Sequence, residues 1–289
     1  MSLDTLAVDA KWQTLPDMSV DRFVFSAVRL EHQFFVLCSE DSNRFGAKHL
    51  IECFDTTTRM WSSVAIDVDM YRAQHAFVAC DSVMYAFGGL LDSHAFSDEV
   101  QDTATGAMRT PDGKWLPIPP MHQARYAFSA IVCEGKIYVM GGLESANKML
   151  CECECFDPAT QQWTVIASLS RARSYAECIL IPHSARVGES VIAMVGGKVQ
   201  SDHMRLTVGD VELYDPLQNR WSKATWTLPF PRIHFSVHYA HGDGVVICGG
   251  LHSGSLFQDR CNILTLSTGT WESMPSLPTS CYGAGFGSV

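Results

Sequence analysis

Residues 125–169 read RYAFSAIVCEGKIYVMGGLESANKMLCECECFDPATQQWTVIASL, and the rest of the chain repeats their landmarks. Tyr126 to Val132 and Ile137 to Met140 are rich in β-branched and aromatic residues and too short for helices. Glu134-Gly135-Lys136 between them suits a hairpin turn, where glycine supplies a positive φ. Gly141-Gly142 ends the second run at a point where a side chain would block a neighbouring backbone. Asp157-Pro158-Ala159-Thr160 has the signature of a type I turn, and Trp163 then opens a fourth run. The stretch predicts a four-stranded antiparallel meander.

The same order recurs. Arginines open units at Arg22, Arg72, Arg125, Arg173 and Arg232. Second strands end at Gly88-Gly89, Gly141-Gly142, Gly196-Gly197 and Gly249-Gly250, while the first unit has Cys38-Ser39 there. Glu-x-aromatic-Asp recurs as Glu52 to Asp55, Glu154 to Asp157 and Glu212 to Asp215. Glu99 to Asp102 keeps only its ends, and Asn262 to Thr265 keeps none of it. Tryptophans fall in step at Trp12, Trp61, Trp115, Trp163, Trp221 and Trp271, with Trp226 outside the series. A period of about 50 residues signals a propeller or an array.

These residues resemble the kelch repeat: a leading Arg, Gly-Gly after an aromatic-bearing strand, Glu-x-Tyr-Asp and a spaced Trp. The resemblance covers nearly the whole chain. It implies an all-β fold, a six-bladed kelch β-propeller of four-stranded antiparallel blades packed face to face. A single propeller would span 1–289, with blades at approximately 22–71, 72–124, 125–172, 173–231 and 232–278. The sixth blade would be closed by both ends, 279–289 supplying an inner strand and 1–21 an outer one. That arrangement puts Trp12 and Phe286 in one blade and suggests an excerpt of a longer protein.

Composition narrows the class. With 47% hydrophobic and 18% charged residues the chain can bury a large core. No apolar run is long enough to span a bilayer, so no membrane partner is expected. A formal charge of −10 argues against nucleic acid, which needs a basic surface. The start, Met-Ser-Leu-Asp-Thr, lacks the basic-then-apolar pattern of a secretory signal. Eleven cysteines contain no Cys-x-x-Cys pair, and several follow the repeat as small apolar core residues do. Reduced thiols in a cytoplasmic or nuclear protein are the expectation.

Three insertions break the regularity: Asp102 to Trp115, His183 to Glu189, and Lys198 to Gly209 after a Gly-Gly. The meander sends the post-Gly-Gly loops and the blade-to-blade connections to one face, with the Asp102 to Trp115 insertion opposite. The arginines belong to the first of these faces. They admit two readings, a cationic ring that receives an acidic peptide, or internal struts paired with Glu52, Glu99, Glu154 and Glu212. Residues present in every blade favour struts, since buried charges are normally paired. Val24, Gln74, Ala127, Tyr175 and His234, two residues after each Arg, differ between blades as a specific surface requires. The residues expected to meet a partner are Arg72, Arg125, Tyr126, Arg173, Tyr175, Arg232, His234, His252 and Tyr282.

Other chemistry finds little support. Cys151, Cys153 and Cys155 alternate on one strand, where three sulfurs on one face diverge too far to chelate one ion. Core packing is their expected role. His94, His203 and His252 fall in different post-Gly-Gly loops and read as solvated residues rather than a metal site. No phosphate-binding loop and no Gly-x-Ser-x-Gly occurs, so neither cofactor nor metal is expected. The kelch resemblance implies a protein-binding module, the substrate receptor of a ubiquitin-ligase adaptor of BTB–kelch or F-box–kelch type. The ligase role would need a flanking BTB or F-box domain. A scaffold on actin filaments is the neighbouring reading, and a mutarotase- or oxidase-like kelch enzyme the more distant one.

Overall fold

Alternation along each strand decides where the core goes. In Val83–Phe87, Met84 and Ala86 join one apolar cluster with Leu37, Ile51 and Trp115. Tyr85 and Phe87 point the other way, into a second cluster with Ile137, Val139, Phe156 and Trp163. Both faces of the sheet are covered, so its strands read as continuous apolar runs. A third cluster packs Ile179, Val195 and Trp226 with Phe235, Ile247 and Leu264, and Trp226 meets Trp271 at 6.3 Å between ring centres.

The computed structural model describes residues 12–19, 26–37, 50–65, 72–91, 101–110, 113–144, 148–182, 190–201, 204–240, 242–252 and 256–280. They fall in two compact units, one drawn from 15–174 and the other from 175–280 with 12–14. Among the described residues there is no helix. The first unit holds three four-stranded antiparallel sheets. The first is Ser26–Leu30, Gln33–Leu37, Leu50–Asp55 and Met60–Ala65; the second is Ala76–Cys80, Val83–Phe87, Gly106–Arg109 and Trp115–Ile118. The third is Ser129–Cys133, Lys136–Met140, Cys153–Asp157 and Gln162–Ile166. The second unit holds Glu177–Ile181, Val191–Val195, Val211–Asp215 and Arg220–Lys223, then Ser236–Ala240, Gly244–Cys248, Cys261–Thr265 and Thr270–Met274. Each sheet is a meander, so the blades of the propeller are numbered one to five in chain order. The chain ends assigned to a sixth blade, 1–11 and 281–289 with Phe286, lie outside the described residues.

Local chemistry sets the turns. Glu134 and Gly135 both have positive φ, at 50° and 72° respectively, the pattern of a type I′ hairpin. Asp157 Oδ1 accepts the amides of Ala159 and Thr160 at 2.9 and 3.3 Å, and left-handed Gln161 closes that turn. The first strand of blade three is shorter than expected. Ala127 turns the chain with φ 51°, so Tyr126 pairs instead with Leu143, and the strand begins at Ser129.

Blade two needs a larger correction. Its third strand is Gly106–Arg109, which pairs with Val83–Phe87, and not the segment around Glu99. Ala107 sits opposite Ala86 as Glu154 sits opposite Val139, so Ala107 holds the place assigned to Glu99. The extra length lies between Leu90 and Thr105, after the diglycine, where Gln101–Asp102 pairs with Leu90–Leu91. The insertion is therefore not at the Asp102 to Trp115 turn.

Blades are stitched by main chain. The amide of the second glycine donates to the carbonyl of the next blade's arginine: Gly89 to Arg125 at 2.8 Å, Gly142 to Arg173 at 2.7 Å and Gly197 to Arg232 at 3.1 Å. A Cβ on Gly142 would stand 2.7 Å from Phe128 Cβ and 2.8 Å from Tyr126 O, at φ 101°. Tryptophan indoles add a second stitch, Trp61 to Pro16 O, Trp163 to Pro119 O and Trp271 to Thr227 O, at 2.7, 2.8 and 2.9 Å. Trp12 donates likewise to Pro275 O at 2.9 Å, treating the end of blade five as Trp61 treats Pro16. Gly142→Ala should cost about 3 kcal/mol, strain and clash together. Gly242→Ala, where φ is 96° but nothing lies within 4 Å, should cost only about 1 kcal/mol. Urea unfolding of the two variants separates the terms, and equal losses would mean that the close approach is unimportant.

Candidate functional site

The arginines come first because everything near them is arranged by their charge. Arg125 is 0% exposed. Its Nη1 donates to Gly141 O at 2.8 Å and Glu152 O at 2.9 Å, and its Nη2 to Glu154 Oε1 at 2.7 Å. Glu154 also accepts the amides of His122 and Gln123, at 2.8 and 3.1 Å, from the linker entering the blade. Glu52 does the same for Ser19 N at 2.7 Å. One carboxylate thus ties the third strand to the linker and, in blade three, to the guanidinium.

Arg173 and Arg232 are equally enclosed, and Tyr126 is buried. Arg125, Tyr126, Arg173 and Arg232 are therefore corrected from partner-facing residues to interior ones. A desolvated guanidinium must find its acceptors inside, and the repeating carboxylate and carbonyls draw it there. Arg72 pairs through its backbone with Leu91, while its side chain, Arg22, Val24 and Tyr282 lie outside the described residues.

The varied positions behave differently. Gln74, Ala127, Tyr175 and His234 have φ of 53°, 51°, 53° and 51°. Left-handed backbone costs a non-glycine residue about 1–2 kcal/mol, so the surrounding main chain must hold it. Ala127 N donates to Gln74 O at 3.1 Å, and Ile233 and Leu251 exchange amide–carbonyl bonds at 3.0 and 2.8 Å. The backbone is imposed by the repeat and the side chain is left to vary.

In the second unit those side chains meet. The rings of Tyr175 and His234 lie 4.6 Å apart at 53°, and Lys198 Nζ stands 5.6 Å from the Tyr175 ring. Burial, with Lys198 adding to it, pushes His234 down to about 4, so the imidazole is neutral at physiological pH. Lys198 follows directly on Gly197 and begins a hairpin, Lys198–Ser201 with Met204–Thr207, where a bare loop was expected. Met204 and Leu206 on it are 64% and 43% exposed, and Phe257 in the post-diglycine loop of blade five is 53% exposed. Apolar side chains of that size left in solvent suit a partner surface.

Glu177 was missed by sequence reasoning. It pairs with Val195 as Ser26 pairs with Leu37, Ala76 with Phe87, Ser129 with Met140 and Ser236 with Cys248. Four blades carry a small residue there and blade four a carboxyl. Burial pushes it up to about 8, so it is largely protonated at neutral pH. The signal was available four residues after each arginine, a second column of varied residues.

The remaining candidates are structural or undescribed. His252 Nδ1 lies 2.7 Å from Pro231 O, tied to the linker. His94 and His203 lie outside the described residues. Cys153 and Cys155 are buried, and burial pushes the Cys153 thiol up to about 12. Cys151 departs from the expectation: it precedes the strand, which starts at Cys153, and is only half-buried.

The family follows from comparison. Residues 24–250 match the KLHDC2/KLHL20/DRC7 Kelch-repeats domain, and the chain belongs to that kelch-repeat family. It is 29% identical over 234 residues to spermatocyte protein spe-26 of Caenorhabditis elegans, covering 78% of this chain and 37% of that one. Kelch-like protein 35 of Mus musculus is 23% identical over 279 residues, covering 94% and 43%. The chain thus spans less than half the length of these relatives. The solved structure of YjhT shares the fold, with a TM-score of 0.74 at 15% identity over 93% of this chain and 88% of that one. The kelch homologues support a protein-interaction module.

Two measurements test the electrostatics and the packing. Glu177 has its folded pKa raised above the ordinary carboxylate value, so its contribution is most favourable below about 4.5 and is lost as pH rises through about 8. Stability should fall over that window, and Glu177→Gln should flatten the fall; a Gln variant with an unchanged profile would contradict the burial argument. Maleimide labelling of the folded protein should modify Cys151 well before Cys153, whereas equal rates would mean that the strand is open.

Proposed function

We propose that this propeller is a recognition module without catalytic activity of its own, serving inside the cell as the substrate-receptor part of a ubiquitin-ligase adaptor of BTB–kelch type. Its working surface in the second unit is the end of blades four and five that carries the post-diglycine loops. The carrying observation is the division at the residue two after the arginine in blades two to five: one left-handed backbone held by the repeat, with half-buried Gln74, Tyr175 and His234 and buried Ala127 as side chains. A fixed frame presenting different chemistry from each blade is what selective binding needs. The exposed Met204, Leu206 and Phe257 add apolar area, and Lys198 a cation beside the Tyr175 ring. Aromatic anchors at the centre of an interface typically carry about 2 kcal/mol or more each. Ligase assembly would rest on a BTB or F-box domain outside this stretch.

Tyr175→Ala and His234→Ala in the full-length protein should each reduce capture of cellular partners about tenfold or more, with unfolding midpoints close to the parent's. Glu134→Lys, in the turn at the other end of blade three, serves as the control. Proximity labelling reads the outcome. A partner set that survives both substitutions but is lost with Glu134→Lys would place recognition at the opposite end. Recovery of filamentous actin without any cullin-type scaffold would replace the ligase reading with a cytoskeletal one.

A further inference from the structure

Blade five keeps the buried arginine but not its carboxylate. Asn262 sits opposite Ile247, where Glu154 sits opposite Val139 and Glu212 opposite Met194. The linker has changed with it. The residue three before the arginine donates its amide to the carboxylate in blade three, from His122, and in blade one, from Ser19. Before Arg232 that residue is Pro229, which has no N–H to donate. Acceptor and donor have gone together, and the cation has stayed.

Arg232 is 1% exposed, and its Nη1 donates to Gly249 O at 3.1 Å. Among the described residues its Nε and Nη2 are buried with no hydrogen-bond partner, and so is Asn262 Oδ1. Arg125, with its glutamate in place, leaves only Nε in that state. The ionisable groups acting on Arg232 are the thiols of Cys248 and Cys261 and a second cation, Arg260. Arg260 lies with its guanidinium 5.3 Å from the Phe230 ring, on the linker that leads to Arg232. Two cations therefore stand close together, with Asp259 acting on the Cys261 thiol beside them, inside a chain whose formal charge is −10.

We propose that blade five holds a small anion, of the size of chloride or formate, on the Nη2 donor of Arg232, in the place that a glutamate carboxylate takes in blade three, with the adjacent Nε as a second donor. The planar guanidinium fork fits an oxyanion with two parallel hydrogen bonds. Asn262 is one methylene shorter than Glu, which leaves room for the anion. Its amide, with N and O exchanged, turns Nδ2 toward the anion as a further donor. The anion completes the strut between first strand and third strand, so blade five is more stable when loaded.

The test is thermal unfolding of the full chain at constant pH and ionic strength, with gluconate exchanged stepwise for chloride or formate. The midpoint should rise saturably, by on the order of 5 °C at a hundred times the dissociation constant. Asn262→Glu restores the carboxylate, and should start from a higher midpoint in gluconate and lose the anion dependence. Chlorine-35 line broadening on the unmodified protein, reversed by formate, reports the site without any substitution. A midpoint indifferent to both anions together with unbroadened chloride overturns the proposal. So does Asn262→Glu retaining the full dependence, or a flat anion response combined with loss of stability in Cys261→Ser, which would make the thiolate the counterion.

Discussion

The hydrogen bond from the second glycine of the diglycines in blades two, three and four to the carbonyl of the next arginine is the constraint on which the rest depends. It requires two backbones to approach closely, which Gly142 permits and a Cβ would prevent. Once Gly89 N is bound to Arg125 O, the start of the next first strand is fixed in place. The arginine's own side chain then has to turn back into its blade. The main chain after it bends left-handed, and the next residues enter the strand. Sequence, backbone conformation and blade contact are one feature here.

Burying a guanidinium in this position is expensive unless its donors are met. In blade three the cost is offset by Gly141 O, Glu152 O and Glu154, and Glu154 is at the same time the acceptor for two linker amides. The strut orders a segment with no strand partners of its own. Its contribution is specificity of connection more than net stability, because a buried pair gains little over an apolar replacement while half of one is strongly unfavourable. That asymmetry is why blade five, with Arg232 retained and Asn262 opposite Ile247, stands out from its neighbours.

The fold was legible because its landmarks are residues with strong local physics. Glycine pairs, turn-forming Asp157 and spaced tryptophans each specify one geometry, and they recur in order. The third strand of blade two was misread for the same reason: Glu99 and Asp102 imitate the landmark, while the true strand carries Ala107 in the glutamate's place. Pairing register, which sequence does not display, separates them. The candidate site was legible in part. Tyr175 and His234 announced themselves as variation at a fixed offset, but Lys198 joins them only through the approach of its loop, and Glu177 gains its character from burial.

Variation in this molecule has to be read against what the repeat forbids. At Gly142 and Arg125 the repeat leaves no choice, since each fills a place where no other residue satisfies the backbone or the carboxylate. At the residue two after the arginine it dictates φ and nothing else. A residue that bears the strain of a left-handed backbone and is still allowed to be Gln, Ala, Tyr or His is under no packing demand for one shape. Selection acting there is free to answer to something outside the chain. Under the proposed function, the neutral imidazole of His234 against Tyr175, with Lys198 as the nearby cation, would meet a partner through aromatic faces with one positive charge at their side. Such a surface discriminates by shape and stacking first and by charge second, which fits recognition of a protein segment carrying an apolar or aromatic side chain beside an acidic one.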